Sequence, residues 1–348
     1  LIKVIVKTIQ LTKLYPLAIS RGVSTGSKNV FVFAEEDGHV GVGECAPGTG
    51  FDDSLAEIAE SQIMSLTKDG LEGMSIQETW KKAMREQMNP SALAGLDVAL
   101  WDLKAKKAGM PLYSLFGLGK PTVPTSVTIG IGTTEIIRER VPEILKRTGA
   151  KYLKIKLGSP DGIFRDRENY LAARGASARY NVKLRVDANG GWMPDKAKRM
   201  MTFLAEHGAE YVEQPLPKGM ESELPKLFDR RPLPIFVDES CHYATDIPPI
   251  ANCVDGVNMK LMKSGGITEA LRIVATAKAH GLETMIGCMG ESSISIAAGA
   301  ALGSLMDHID LDSHFNLNPD PAMGLDLVNG VVTPRDVPGH GAYLAVRK

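Results

Sequence analysis

Cysteine is sparse and scattered in this chain. Cys45, Cys241, Cys253 and Cys288 form no CxxC pair and no closely spaced set, which excludes a disulfide framework. No apolar run approaches the length of a membrane span, and the opening LIKVIVKTIQL alternates in character without the layout of a cleaved signal. An excess of one charge is missing too. With 40 basic and 41 acidic residues the formal net charge is −1, so nucleic acid and anionic membranes have no electrostatic hold on the chain. These absences leave a reduced, cytoplasmic enzyme with a small-molecule substrate. At 348 residues, with 44% hydrophobic and 23% charged content, the chain has ample core for one large or two ordinary domains.

The stretch from Tyr152 to Gly266 carries the organising pattern. It reads YLKIKLG, KLRVDANGG, EYVEQPLP, IFVDES and GVNMKLMKSGG, five short apolar runs that each end in a charged group. The ending residues Lys156, Asp187, Glu213, Asp238 and Lys263 follow one another at intervals of 31, 26, 25 and 25 positions. That interval accommodates one strand, one helix and two loops. Repeated with its charge always last, it predicts a parallel (β/α) barrel with chemistry at the carboxyl ends of the strands. Strands are expected at 125–131, 152–158, 183–188, 210–214, 235–239, 256–262, 283–288 and 308–312, with amphipathic helices between them. No comparable helix pattern follows the eighth, so the expectation is a (β/α)7β modified TIM barrel over residues 119–320.

Residues 1–118 read as a distinct α+β unit, bounded by Gly117–Pro124. A strand is expected at 1–11, and NVFVFAE and HVGVGEC flank an Asp37–Gly38 hairpin turn. The Gly- and Ser-rich stretch Tyr15–Lys28 between them predicts a mobile connector, either plainly solvated or a lid over the barrel. Helices are expected through Leu55–Leu66, stopped by Gly70, and from Pro90 to Gly109. Residues 321–348, rich in Pro and Gly, are expected to return to the first unit.

Asp187, Glu213 and Asp238 end three successive strands, so a barrel holds them side by side at one rim. Hard oxygen donors without a neighbouring His or Cys suit Mg²⁺, with Mn²⁺ as a substitute. Lys154 and Lys156 share one strand face, and strands two and six lie opposite each other in an eight-strand barrel. The amines of Lys156 and Lys263 therefore face each other across the metal. A divalent ion and a second cation lower an amine's pKa, which suits it to act as a base. One amine can remove a proton α to a carboxylate and the other return it to the opposite face, with the ion stabilising the enediolate. Lys260 and Lys263 differ by three, so a regular strand cannot aim both inward; Lys263, next to Ser264–Gly265–Gly266, is the better placed.

The segments LKIKLG, RVDANGGW, VEQPLP, VDES and NMKLMKSGG closely resemble the muconate-lactonising branch of the enolase superfamily, and the likeness covers essentially the whole chain. The resemblance implies a catalytic pair at Lys156 and Lys263, with Lys154 beside the substrate carboxylate. It implies one Mg²⁺ per subunit on Asp187, Glu213 and Asp238. Residues 1–118 become a capping domain whose loops select substrate, in a chain expected to form a homo-oligomer. Asp310–Leu311–Asp312 on strand eight resembles the DxD element with which dipeptide epimerases receive the α-ammonium of a dipeptide. Thr128, Cys288 and Gly290 become pocket candidates, and the bare Gly290 leaves room for a bulky substrate residue. Arg21 falls near a loop arginine that reads an acidic side chain in Ala-Glu epimerases. The implied activity is epimerisation at the Cα of the C-terminal residue of an L,L-dipeptide, giving the L,D form. The alternatives on the same scaffold are N-succinylamino acid racemisation, o-succinylbenzoate synthesis and muconate cycloisomerisation, none of which brings a free ammonium. A binding protein on an inactive barrel is the rival from outside enzymology.

Overall fold

The computed structural model describes residues 1–68, 70–71 and 73–345. The chain opens with a three-stranded antiparallel sheet of β1 (Lys3–Ile19), β2 (Gly22–Glu36) and β3 (His39–Cys45). The turn from β2 to β3 is the expected one, with Asp37 and Gly38 both at positive φ, 50° and 77°. The stretch expected as a connector, 15–28, is instead the far end of the β1–β2 ladder. Leu17, Ala18 and Ile19 pair with Ser24, Val23 and Gly22 beyond a register shift between Thr12 and Leu17, which leaves Ser20 and Arg21 as the turn. The small residues serve close packing here. A Cβ on Gly26 would stand 2.3 Å from the Leu11 carbonyl oxygen and 2.5 Å from the Phe51 ring.

Two of the three longer helices that cover this sheet, α1 (Ser54–Thr67) and α3 (Pro90–Lys107), lie where the apolar spacing puts them. The helix between them, α2 (Ile76–Arg85), was not anticipated. Its start is written in the sequence as Ser75-x-x-Glu78. The Ser75 hydroxyl accepts the Glu78 N–H, and the Glu78 carboxylate accepts the Ser75 N–H, a reciprocal cap of about 1 kcal/mol. A short α4 (Leu112–Leu115) precedes the barrel.

Eight parallel strands follow in sequence order: β4 (Ser126–Ile129), β5 (Tyr152–Lys156), β6 (Lys183–Asp187), β7 (Ala209–Glu213), β8 (Ile235–Val237), β9 (Gly256–Met259), β10 (Glu283–Gly287) and β11 (His308–Asp310). A single parallel bridge, Thr125 to Ile309, joins the last to the first. The connecting helices are α5 (Thr134–Thr148), α6 (Ile163–Ser177), α7 (Pro194–Glu206), α8 (Leu224–Phe228), α9 (Leu261–Ser264) with α10 (Ile267–Ala279), and α11 (Ser293–Ala300). The crossover from β8 to β9 is reduced to one helical turn, Ala244–Asp246.

Strand periodicity places the site. Tyr211, Phe236 and Met285 form a buried cluster inside the barrel, and the Arg185 guanidinium stacks 3.5 Å from the Tyr152 ring. Two residues further along the same strands come Glu213, Asp238, Gly287, Asp187 and Lys154. An apolar and aromatic plug thus fills the barrel below a polar rim. Gly287 is required there: a Cβ would lie 2.8 Å from the Asn258 amide and 2.9 Å from Lys260 Cε.

After β11, β12 (Ala322–Met323) pairs with β15 (Tyr343–Leu344), and β13 (Leu325–Val328) pairs with β14 (Val331–Pro334). Ala322 and Ala342 share an apolar cluster with Phe31 and Val42 of the first sheet. The His340 N–H donates to Asp102 Oδ1 of α3 at 2.8 Å. Ala322, His340 and Ala342 thus touch the N-terminal unit, while the Gly330 carbonyl oxygen accepts the Thr125 N–H of the barrel at 2.9 Å; residues 346–348 are outside the described residues.

Candidate active site

Asp187 ends β6, Glu213 ends β7, and Asp238 stands one residue past β8. All three are buried, and one carboxylate oxygen from each lies within 4.8 Å of the others. Each acid is fixed by a neighbour. The Asn189 N–H donates to Asp187 Oδ1 at 2.7 Å, Asn258 Nδ2 to Glu213 Oε1 at 2.8 Å, and the Asp238 N–H to Gln214 Oε1 at 2.8 Å. Burial opposes ionisation throughout. At Asp187 it is outweighed by Lys156 and Lys154, which hold the carboxyl down to about 2. At Asp238 it is outweighed by Lys260 and Lys263, and the group lies well below the usual range. At Glu213 burial, reinforced by Asp187, prevails over Lys154 and raises the group to about 7. The donor set is all carboxylate oxygen. Glu213 Oε2 accepts no aligned hydrogen bond although Lys154 Nζ stands 2.7 Å away. A hard divalent cation such as Mg²⁺ fits this cradle of three carboxylates, two of them oriented through an oxygen by Asn189 and Asn258 and the third through its main chain by Gln214.

Cationic groups converge on the same acids. Lys156 Nζ lies 2.6 Å from Asp187 Oδ2. Lys154 is fully buried, 2.5 Å from Asp310, 2.7 Å from Glu213 and 3.5 Å from Asp187. Burial would lower its pKa, but Asp310, Glu213 and Asp187 together raise it well above the ordinary value, so it is a fixed ammonium. Lys263 does not end a strand. Strand β9 stops at Met259, and the chain turns helical after Lys260, placing Lys263 in the single turn α9. Residues three apart on a helical turn return to one side. The parity objection therefore dissolves: Lys260 Nζ reaches Asp238 Oδ2 at 2.6 Å and Lys263 Nζ reaches Asp238 Oδ1 at 2.5 Å. Lys156 thus meets the acid row at its Asp187 end, and Lys263 meets it at the Asp238 end.

The β11 side closes the rim. Asp310 is 6% exposed, and its Oδ1 is buried without a hydrogen-bond partner. Asp312, beyond the strand, accepts the Thr128 N–H through Oδ2 at 2.6 Å, and burial with the nearby Asp310 pushes it up to about 6. Cys288 Sγ lies 3.3 Å from the Asp310 carbonyl oxygen and 3.8 Å from Asp312 Oδ1. Thr128, Cys288, Asp310 and Asp312 are thus brought together. A Cβ on Gly290 would meet only Ser27 Oγ, at 3.7 Å. Arg21 stands apart from them. At the tip of the β1–β2 hairpin, its guanidinium pairs with Glu239 at 2.7 Å and donates to the Asn189 carbonyl oxygen at 2.8 Å.

Residues 2–117 match the family described as mandelate racemase / muconate lactonizing enzyme, N-terminal domain, and residues 137–347 match enolase C-terminal domain-like. A hydrophobic dipeptide epimerase of Flavobacteria bacterium (strain MS024-2A) is 55% identical, over 97% of this chain and 96% of that protein. The chain belongs to the dipeptide epimerase family of the enolase superfamily. A second relative, the hydrophobic dipeptide epimerase of Roseobacter litoralis, is 54% identical over 99% of both chains. Among solved structures, the dipeptide epimerase of Enterococcus faecalis V583, complexed with Mg and the dipeptide L-Leu-L-Tyr, superposes with a TM-score of 0.89. It is 33% identical, over 98% of each chain.

In this member of the dipeptide epimerase family, several rim residues escaped the sequence reading. Lys260 was set aside by strand parity. Asn189, Gln214 and Asn258 hold the three acids, and Glu239 links Asn189 (Nδ2 to Oε1, 3.3 Å) to Arg21. A signal was present. Polar residues directly after a strand-end acid, as in VDAN, VEQ and VDES, sit where loops leave a barrel rim. Asn189 and Gln214 both adopt positive φ, 43° and 37°, the conformational strain expected beside a site. A cavity of about 700 Å³ opens beside Asp238 and Lys263, with Trp192, Pro217 and Met289 in its wall.

Proposed function

We propose that this chain is a Mg²⁺-dependent dipeptide epimerase, inverting the Cα of the C-terminal residue of an L,L-dipeptide to give the L,D form. The observation that carries the reading is the pair of amines at the two ends of one acid row, Lys156 on Asp187 and Lys263 on Asp238. Asp187, Glu213 and Asp238 hold the ion, which supplies electrostatic stabilisation for negative charge developing on the substrate carboxylate. Lys154, a permanent cation in the same row, binds that carboxylate. One of Lys156 and Lys263 removes the Cα proton, and the other delivers a proton to the opposite face.

The substrate ammonium belongs at Asp310 and Asp312, where the partnerless Asp310 Oδ1 accepts it. Thr128 and Cys288 position Asp312. The relatives at 55% and 54% identity are named for hydrophobic dipeptides, and the same class is the substrate proposed here. Two features of the chain support it: Gly290 leaves space, and Arg21 is occupied by Glu239 instead of standing free for an acidic side chain. All four cysteines are free thiols, consistent with a cytoplasmic setting. The test is a dipeptide library incubated with Mg²⁺ in D₂O. Deuterium is expected at the Cα of the C-terminal residue of hydrophobic dipeptides; its absence there for every dipeptide sinks the reading.

A further inference from the structure

We propose that Asp97 of the N-terminal unit, assisted by Trp80 and Trp101, is the positioning residue for Lys263 and not for Lys156. The inference rests on the two-base reading above. The two amines are held in different ways. Lys156 is the last residue of β5, in register with Asp187 of β6, and β4 pairs with the same strand as far as Ile155, so the barrel's own ladder fixes it. Lys263 has no ladder. It rides on α9, four residues long, which cannot be stable alone because one helical turn does not repay its ordering.

The Lys263 amine is tied inside the barrel to Asp238 and to the Asn258 carbonyl oxygen, and the turn that carries it is braced by the other domain on both sides of the lysine. Before it, the Ala46 N–H points at Met262 Sδ at 3.3 Å. After it, Trp80 Nε1 of α2 donates to the Gly265 carbonyl oxygen at 2.9 Å. Helix α10 starts directly behind, at Ile267 after the N-cap residue Gly266, and none of its own side chains caps it. Asp97 of α3 does so from across the interface. Its Oδ2 accepts the Thr268 N–H at 2.9 Å and its Oδ1 accepts the Thr268 hydroxyl at 2.6 Å, while Trp101 Nε1 donates to that hydroxyl at 2.9 Å. Asp97 is 2% exposed, so its carboxylate has no solvent to turn to. The fit leaves no slack. Gly266 has φ 99°, and a Cβ there would stand 2.4 Å from Asp97 Oδ2. Loosening this clamp frees the turn that aims Lys263 and leaves β5 untouched.

The experiment uses the full chain with Mg²⁺ and measures initial deuterium uptake at Cα separately from the L,L and the L,D diastereomer. Lys263→Ala identifies the diastereomer whose exchange depends on that amine. Asp97→Asn and Thr268→Val are expected to slow exchange of that diastereomer by about 10²-fold, the cost of an ångström-scale misplacement. The other diastereomer stays within about twofold. Thr268→Ser, which keeps the hydroxyl, restores both. A general loss of stability lowers both rates together. Equal slowing of both diastereomers in Asp97→Asn and Thr268→Val, or no slowing in either variant, overturns the positioning role while leaving the epimerase reading intact. A wild-type protein that exchanges neither diastereomer overturns both.

Discussion

Changing Glu213 to Gln tests the metal cradle with a readout independent of turnover. The substitution is nearly isosteric, and Gln Oε1 can still accept from Asn258 Nδ2, so the strand end keeps its anchor. What disappears is the charge at Oε2, in the middle of the acid row. For 348 residues the unfolding entropy is about 0.7 kcal/mol/K near the transition. An ion at about 100 times its Kd stabilises the native state by about 2.7 kcal/mol, which corresponds to a rise in Tm of about 4 °C. Losing one ligand weakens binding by at least the roughly 10²-fold that outer contacts alone can carry. At the same MgCl₂ concentration the variant then gains only about 0.4 kcal/mol, or about 0.6 °C. Scanning calorimetry over a MgCl₂ titration, with NaCl at matched ionic strength, resolves the two cases. The reasoning is refuted if Glu213→Gln keeps the wild-type rise, or if wild type responds to MgCl₂ no more than to NaCl.

Lys156→Ala and Lys263→Ala are each expected to abolish epimerisation while sparing α-proton exchange of a single, different diastereomer; equal and mild losses in both, seen by NMR in D₂O, speak against two bases. Asp312→Ala is expected to cost at least about 2 kcal/mol, some 30-fold in kcat/KM, on free-amine dipeptides. Near-wild-type turnover of N-acylated amino acids by that variant favours the racemase alternative instead. Glu291 is 2% exposed, and burial pushes it up to about 8, so the folded state keeps a proton that the unfolded chain has already released. Stability contributed at this group is therefore present at acid pH and lost as pH rises towards that value, by up to about 1.4 kcal/mol per unit. Urea melts of Glu291→Gln across the same range are expected to lack that component, and parallel pH profiles for the two proteins count against it.

The barrel is legible because the successive runs β5 to β8 carry their charge at the same end. Lys156, Asp187, Glu213 and Asp238 announce both the fold and the rim from their spacing alone. Local rules failed where the chain breaks its own period. Strand parity had to reject either Lys260 or Lys263, since nothing local shows the strand stopping at Met259 and winding into α9. Composition misread Tyr15–Lys28 because Gly26 and its neighbouring serines answer to the Phe51 ring and a partner strand, not to solvent. The cap of α2 at Ser75 and Glu78 was visible and overlooked. Contacts such as Asp97 with Thr268, separated by 171 residues, have no local signature at all. A buried acid such as Asp97 says only that some partner must exist.

The paired ribbon of β1 and β2 is pinned to the barrel at two separate points. Ser20 and Arg21 ride at the end of a hydrogen-bonded strip, and both grip the Asn189 carbonyl oxygen. The register break between Thr12 and Leu17 is tied down as well: the Tyr15 N–H donates to Asn316 Oδ1 at 3.0 Å, and Asn316 Nδ2 donates back to the Tyr15 carbonyl oxygen at 2.9 Å.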